Sequence, residues 1–180
     1  VYTMSQPNRD PRMRVIDIAY MALIQKMPVV AGDDAKVACW FDVVFKNNKL
    51  ELVNDERNVR IVYNLKEKVF QNGLVKVKNF VPELSPDSKD SLAFDHAEII
   101  LEGLMRLRNK IKYTDIAFNL VPKRFTLPDL QKVYEIILGE KLYKRNFRQS
   151  IENRIEFCND KGVSVTGKHS SNLYKYSPKL

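Results

Sequence analysis

Residues 125–150, FTLPDLQKVYEIILGEKLYKRNFRQS, constrain the fold more than any other stretch of the chain. Thr126 is placed to cap a helix, with Asp129 three residues on to answer the exposed amides. Pro128 falls in the first turn, where its missing N–H costs nothing. Leu127, Leu130, Val133, Tyr134, Ile137 and Leu138 then recur at helical spacing. Gly139 stands just past this stripe, where a left-handed residue ends a helix. A second stripe, Phe147, Ile151 and Ile155, predicts a second helix surrounded by Lys141, Lys144, Arg145, Arg148 and Arg154. Behind it, Phe157 and residues 163–166 lead to a polar tip at 167–172 and to an alternating strand at 173–176. Two helices, a tight turn and a hairpin make a winged helix-turn-helix, whose second helix suits the surface of DNA.

The charge distribution agrees. Residues 111–180 hold 13 Lys and Arg against 7 Asp and Glu, and residues 1–110 hold 17 against 15. Most of the net +8 therefore sits in the last 70 residues. Phosphate attraction of this kind carries no sequence information. Base reading needs side chains near the start of the second helix. Tyr143, Lys144, Arg145, Asn146, Arg148 and Gln149 are the candidates, since Asn and Gln pair with adenine and Arg with guanine. A solvated basic face, or a helix docked on its own domain, is the competing reading.

A chain of 180 residues with 44% apolar content fits one or two ordinary domains. No run of 18 apolar residues marks a membrane span, and no signal-peptide pattern opens the chain. Cys39 and Cys158 lie in apolar elements outside any CxxC, so buried thiols in a reducing, cytoplasmic compartment are expected. His96 and His169 have no ligand spacing around them, which excludes a structural zinc site. The chain opens on a loop that runs straight into an apolar segment, so a fragment with partners upstream is expected.

Residues 14–82 read as mainly β. Long strands are expected at 14–24 and 37–45, shorter ones at 49–53 and 58–65. Gln71-Asn72-Gly73 marks a hairpin turn between 69–70 and 74–81. Residues 82–89 read as a loop, followed by a helix capped by Ser91 or Asp95 and running to about Lys110. A shorter helix is expected at 113–120, ended by Pro122. The predicted boundary falls near 110–124, giving domains at 1–112 and 113–180.

These residues are familiar in combination. PNRDPRMRVIDIAYMALI resembles the segment that follows the Nudix box in Nudix-like domains, and LAFDHAEIILEGLMRLRNKIKY resembles their closing helix. FTLPDLQKVYEIILGEKLYKRNFRQSI resembles the winged helix fused behind them. Together they resemble the Nudix-related transcriptional regulators and their MutT/Nudix and ADP-ribose pyrophosphatase-like neighbours, over roughly residues 2–24 and 92–176. The resemblance implies an α+β chain: the C-terminal part of a Nudix-like mixed-sheet α/β/α domain, then a winged helix-turn-helix. It implies a homodimer on a double-stranded DNA operator and a small-molecule effector, ADP-ribose or a related phosphorylated sugar or nucleotide. Two departures stand out. No Arg-Glu-x-x-Glu-Glu of a Nudix box occurs in the chain. Without those carboxylates no cofactor is expected, and Mg²⁺ only if an intact box lies upstream. The family's Gly-Arg-Pro-Ala wing is also replaced, by Gly167-Lys168-His169-Ser170-Ser171-Asn172, with Lys168 standing in as a DNA-contacting cation. The alternative function is a Nudix hydrolase acting on ADP-ribose or a nucleoside diphosphate.

Arg9, Asp10, Arg12 and Arg14 cluster in the loop. Arg forks bind phosphate or carboxylate bidentately, so Arg9, Arg12 and Arg14 are candidate effector ligands. An internal Arg–Asp brace is the equal alternative. His96 joins them at the start of the closing helix, where anions are favoured, against a capping Asp95 beside a half-buried His. Glu98 and Glu102 at i,i+4 read better as a solvated, salt-bridged face than as a metal pair. Trp40 and Phe41 are expected in the core or at a dimer contact.

Overall fold

The computed structural model describes residues 2–24, 26–32, 37–165 and 170–178. It is an α+β chain that divides into two compact units, Val1–Met21 with Met27–Met105, and Ala22–Lys26 with Arg106–Leu180.

The first unit begins with a two-stranded ribbon, β1 (Tyr2–Met4) antiparallel to β2 (Asp17–Ala19). A four-stranded antiparallel sheet follows in the order β3 (Asp42–Lys46), β4 (Lys49–Asn54), β5 (Val59–Asn72) and β6 (Val75–Leu84). The β3–β4 turn is Asn47-Asn48, both at positive φ (53° and 54°), as a type I′ hairpin requires. Strand β4 alternates, with Leu50, Leu52 and Asn54 buried. Buried Asn54 is satisfied: its Nδ2 donates to the Trp40 carbonyl at 2.9 Å, and its Oδ1 accepts from the Arg57 N–H at 2.8 Å. Leu50, Leu52, Ile61, Tyr63 and Leu65 form one core with Ala97 and Leu101 of α1 (His96–Lys110). Phe45 and Phe80 meet edge to face above it.

Several expectations change here. Residues 14–24 form only three residues of strand, and Ile16, Ile18 and Tyr20 are exposed. A strand apolar on both faces needs cover on both, and among the described residues β2 pairs with β1 alone. Only Asp42–Lys46 of the expected 37–45 strand is regular and Trp40 is exposed, its indole N–H donating to the Met27 carbonyl at 2.7 Å. The loop expected from Pro82 starts later, because β6 continues to Leu84. Pro82 is tolerated there since β6 is an edge strand with no outer neighbour to bond. The hairpin turn is Gly73-Leu74, with Gly73 at φ 61° in the first central place.

In the second unit a 3₁₀ turn, Ile116–Leu120, follows α1 in place of the expected helix at 113–120. Strand β7 (Phe125–Thr126), α2 (Leu127–Leu138), α3 (Lys144–Ile151), β8 (Ile155–Val163) and β9 (Ser170–Tyr176) follow. The sheet order is β7-β9-β8. Ile155 begins β8 and does not extend α3; a 3₁₀ turn at Glu152–Arg154 ends the helix first. The wing strand therefore starts well before residue 163. Both cysteines are free thiols of intermediate exposure. No helix of the described residues is long and apolar enough to cross a membrane.

Ile111, Phe118, Phe125, Leu130, Tyr134, Phe147 and Ile151 make the core of this unit. Leu130 is fully buried, so Leu130→Ala should lower the unfolding free energy by about 2–5 kcal/mol. Buried Tyr134 carries a hydroxyl with no hydrogen-bond partner among the described residues. Tyr134→Phe should therefore leave stability unchanged or raise it by about 1 kcal/mol. Urea titration of both variants checks the contrast, and a large loss in Tyr134→Phe contradicts the orphan hydroxyl.

Candidate functional site

The helix pair is built by local chemistry. Thr126 caps α2: its Oγ accepts from the Asp129 N–H at 3.3 Å, and its hydroxyl donates to Asp129 Oδ2 at 2.7 Å. Gly139 ends α2 at φ 73°, with its N–H donating to the Glu135 carbonyl at 2.9 Å. The Glu135 carboxylate then organises the turn into α3. Its Oε1 accepts from the Leu142 N–H at 3.1 Å and the Gln131 amide at 3.0 Å, and its Oε2 accepts from Lys141 Nζ at 3.0 Å. Gln131 also donates to the Leu142 carbonyl at 2.9 Å. The Leu142 N–H, with Gln131 and Lys141, holds the Glu135 carboxyl down to about 2 against burial.

Helix α3 buries Phe147 and Ile151, one turn apart, and so turns Lys144, Arg145, Arg148 and Gln149 outward. Phe147 meets Tyr134 edge to face at 5.3 Å. Two of the expected basic residues have structural work instead. Lys141 serves Glu135, and half-buried Arg154 donates to Asp115 at 3.1 Å. Lys144, Arg145 and Arg148 make no ion pair among the described residues.

A groove of about 840 Å³ runs between α3 and the wing. Arg145, Arg148 and Gln149 line it from the helix; Lys161, Ser171 and Asn172 line it from the strands. Lys144 and Asn146 are exposed beyond the lining, and Tyr143 is 83% exposed at the helix start. Lys168 lies outside the described residues. Lys161, Ser171 and Asn172 are absent from the sequence-based candidates. Residues 159–162, Asn-Asp-Lys-Gly, carry no assignment from the sequence; they continue β8 through a bulge. Asn159 takes φ 53° there, and the register shifts between Phe157 and Lys161. Asn-Asp followed by a Gly inside an alternating run was the available signal for a bulge.

The arginine loop of the first unit is also ordered by carboxylates. Arg9, its side chain 7% exposed, forks onto Asp95 at 2.7 and 2.9 Å and reaches Asp17 at 3.2 Å. These bonds raise the Arg9 pKa. Arg12 forks onto Asp10 at 2.8 and 3.0 Å, and its backbone N–H bonds the same carboxylate at 2.9 Å. The Arg12 side chain and backbone hold the Asp10 carboxyl down to about 2. Arg12 remains 72% exposed, with its guanidinium 5.3 Å from the centre of the Phe94 ring. Phe94 stands at φ 46°, uncommon for a bulky side chain, and its ring meets exposed His96 edge to face. Arg14 turns away to the Ser5 carbonyl at 2.7 Å. Arg9, Arg12 and His96 are thus drawn around Phe94 and Asp95, and Arg14 is not. Among the described residues no group of three His, Cys, Asp or Glu is placed to hold a metal ion.

Known proteins can now be set beside this geometry. Residues 117–176 match the NrtR DNA-binding winged helix domain family. The ADPR responsive transcriptional repressor NtrR of Acinetobacter baylyi is 40% identical over 90 residues, 49% of this chain and 36% of that protein. The chain resembles the Nudix-related transcriptional regulators. A MutT/nudix family protein from Enterococcus faecalis superposes with a TM-score of 0.68 and 27% identity, over 98% of this chain and 60% of its own. NrtR of Shewanella oneidensis in complex with a 27mer DNA is 33% identical over 50% of this chain and 41% of its own, at a TM-score of 0.42. The chain spans about a third of the length of its Acinetobacter relative.

The Glu135 turn gives a pH signature. A carboxyl lowered in the folded state stabilises fully above its unfolded value near 4.5 and loses that contribution as pH falls toward about 2. Glu135→Gln should therefore melt below the wild type at neutral pH, with the gap closing between pH 4.5 and about 2. A melting-temperature gap that does not change with pH contradicts this role.

Proposed function

We propose that this chain is the DNA-binding and effector-sensing part of a transcriptional regulator. The observation that carries the proposal is the groove shared by α3 and the wing. It presents Arg145, Arg148 and Lys161 beside the amides of Gln149 and Asn172. Cations engage phosphates and fix register; amides and the Arg fork read base edges. The start of α3 enters the major groove as the recognition helix, with Tyr143, Lys144 and Asn146 flanking the contact. The match of residues 117–176 to a DNA-binding winged helix supports this reading. A homodimer in the cytoplasm, bound to a palindromic operator, completes it.

The effector is ADP-ribose or a related phosphorylated sugar or nucleotide, in keeping with the description of the Acinetobacter relative as ADPR responsive. Arg12 and His96 offer it cationic and hydrogen-bonding groups, and the Phe94 ring offers a face. Arg9 acts behind them as the brace that fixes the loop to the start of α1. Effector control requires unequal binding to the DNA-competent and incompetent states. Hydrolysis is the weaker reading, because the carboxylate cluster that would hold Mg²⁺ is absent from the described residues.

Binding to the promoter of the neighbouring operon tests the DNA half. Arg145→Ala and Arg148→Ala should each cost about 1–3 kcal/mol of affinity with little change in melting temperature, since both side chains are exposed. Unchanged specific affinity in both variants refutes the recognition-helix assignment. Calorimetric titration of ADP-ribose tests the other half: wild type should bind, Arg12→Ala should bind more weakly, and neither should release product with Mg²⁺.

A further inference from the structure

Several bonds fasten the wing to residues outside its own sheet: Arg124 pairs with Asp160 of β8 at 3.4 Å, the Tyr176 hydroxyl of β9 donates to Asp115 at 2.7 Å, and the end of β8 is held by α2. Asp129, in the first turn of α2, accepts from the Ser164 hydroxyl at 2.6 Å and from the Val165 N–H at 3.1 Å, both on Oδ1. Its Oδ2 accepts from the Thr126 hydroxyl at 2.7 Å. Thr126 and Ser164 are buried, at 0% and 4% exposure. The same carboxylate therefore joins the cap of α2 to the chain leaving β8. Neutral helix capping needs only the Thr126 side of this arrangement; the two bonds to residues 164 and 165 are additional. They act where they matter for the groove. Leu127 and Pro128, immediately before Asp129, line its floor, and Lys161 lines it three residues before Ser164. The bulge shifts the register of β8 between Phe157 and Lys161, Lys161 resumes pairing opposite Asn172, and the bonds at residues 164 and 165 hold the far end of the segment that carries Lys161.

We infer that Asp129 is a positioning residue for DNA binding: it latches the wing through Ser164 and Val165, so that Lys161 faces the same phosphate backbone as Arg145 and Arg148. This rests on the DNA-binding reading of the groove. Charge-assisted bonds of this kind are stronger than neutral ones, and a latch on a half-buried carboxylate holds the strand without covering the cations.

The test measures binding of the whole chain to a mixed-sequence DNA duplex across a salt series. Each phosphate contact contributes about one unit to the slope of log affinity against log salt. Lys161→Ala should flatten the slope by about one unit. Asp129→Ala should flatten it equally, and combining the two should flatten it no further, because both remove the same contact. Ser164→Ala keeps the Thr126 cap and should flatten the slope partway, with a near-native melting temperature. Hydrogen exchange at the Val165 amide should speed up in Asp129→Ala. A wild-type slope in folded Asp129→Ala and Ser164→Ala overturns the latch, as does strict additivity with Lys161→Ala. If Arg145→Ala and Arg148→Ala also leave binding unchanged, the DNA reading itself fails and the latch's function falls with it.

Discussion

The burial of Phe147 and Ile151 decides the orientation of everything basic in the second unit. The two side chains lie one turn apart on α3 and are 4% and 1% exposed. Burying each is worth about 1.5–3 kcal/mol, more than the few tenths at stake in an exposed ion pair. With that face fixed inward, Lys144, Arg145 and Arg148 have only solvent, or a partner, to face. The turn that delivers α3 to this position is equally determined. Gly139 supplies the left-handed residue, and Glu135 satisfies the Leu142 amide that the turn exposes.

This packing also explains why a modest net charge becomes a focused one. Carboxylates occupy many of the cations: Lys141 is taken by Glu135, Arg154 by Asp115, Arg124 by Asp160 and Lys175 by Glu156. Of the α3 cations left without an ion pair among the described residues, Arg145 and Arg148 line one wall of the groove, and Lys161 stands on the other. The field at the groove is thus set by which cations the fold consumes, not by the total.

Legibility in the sequence followed the range of the interactions. The cap at Thr126, the stripe on α2 and the stop at Gly139 are decided within a few residues, and all three stand as read. Ile155 was assigned to the wrong element because one apolar residue at helical spacing also starts a strand, and only the 3₁₀ turn at Glu152–Arg154 separates them. Lys161 is not among the sequence candidates because the bulge breaks the alternation that would mark it as a strand residue. The arginine loop shows the limit most sharply. Whether Arg9 braces the loop or faces a ligand depends on Asp95, 86 residues away, and no local spacing reports that contact. Residues 14–24 fail as a long strand for a related reason: strand length depends on neighbours, and among the described residues β2 has a single one.

The arginines of the loop divide labour. Arg9 is nearly buried and doubly satisfied, so an anion arriving there has to displace a bidentate carboxylate. Arg12 keeps its own carboxylate yet stays mostly exposed, over a ring held at an unfavourable φ. Holding a bulky residue there costs on the order of 1–3 kcal/mol unless its surroundings impose it. The Arg9–Asp95 fork holds the residue next to Phe94, at the start of α1. The loop is thus ordered by its own carboxylates, with one arginine nearly buried in a brace and one left exposed against an aromatic face.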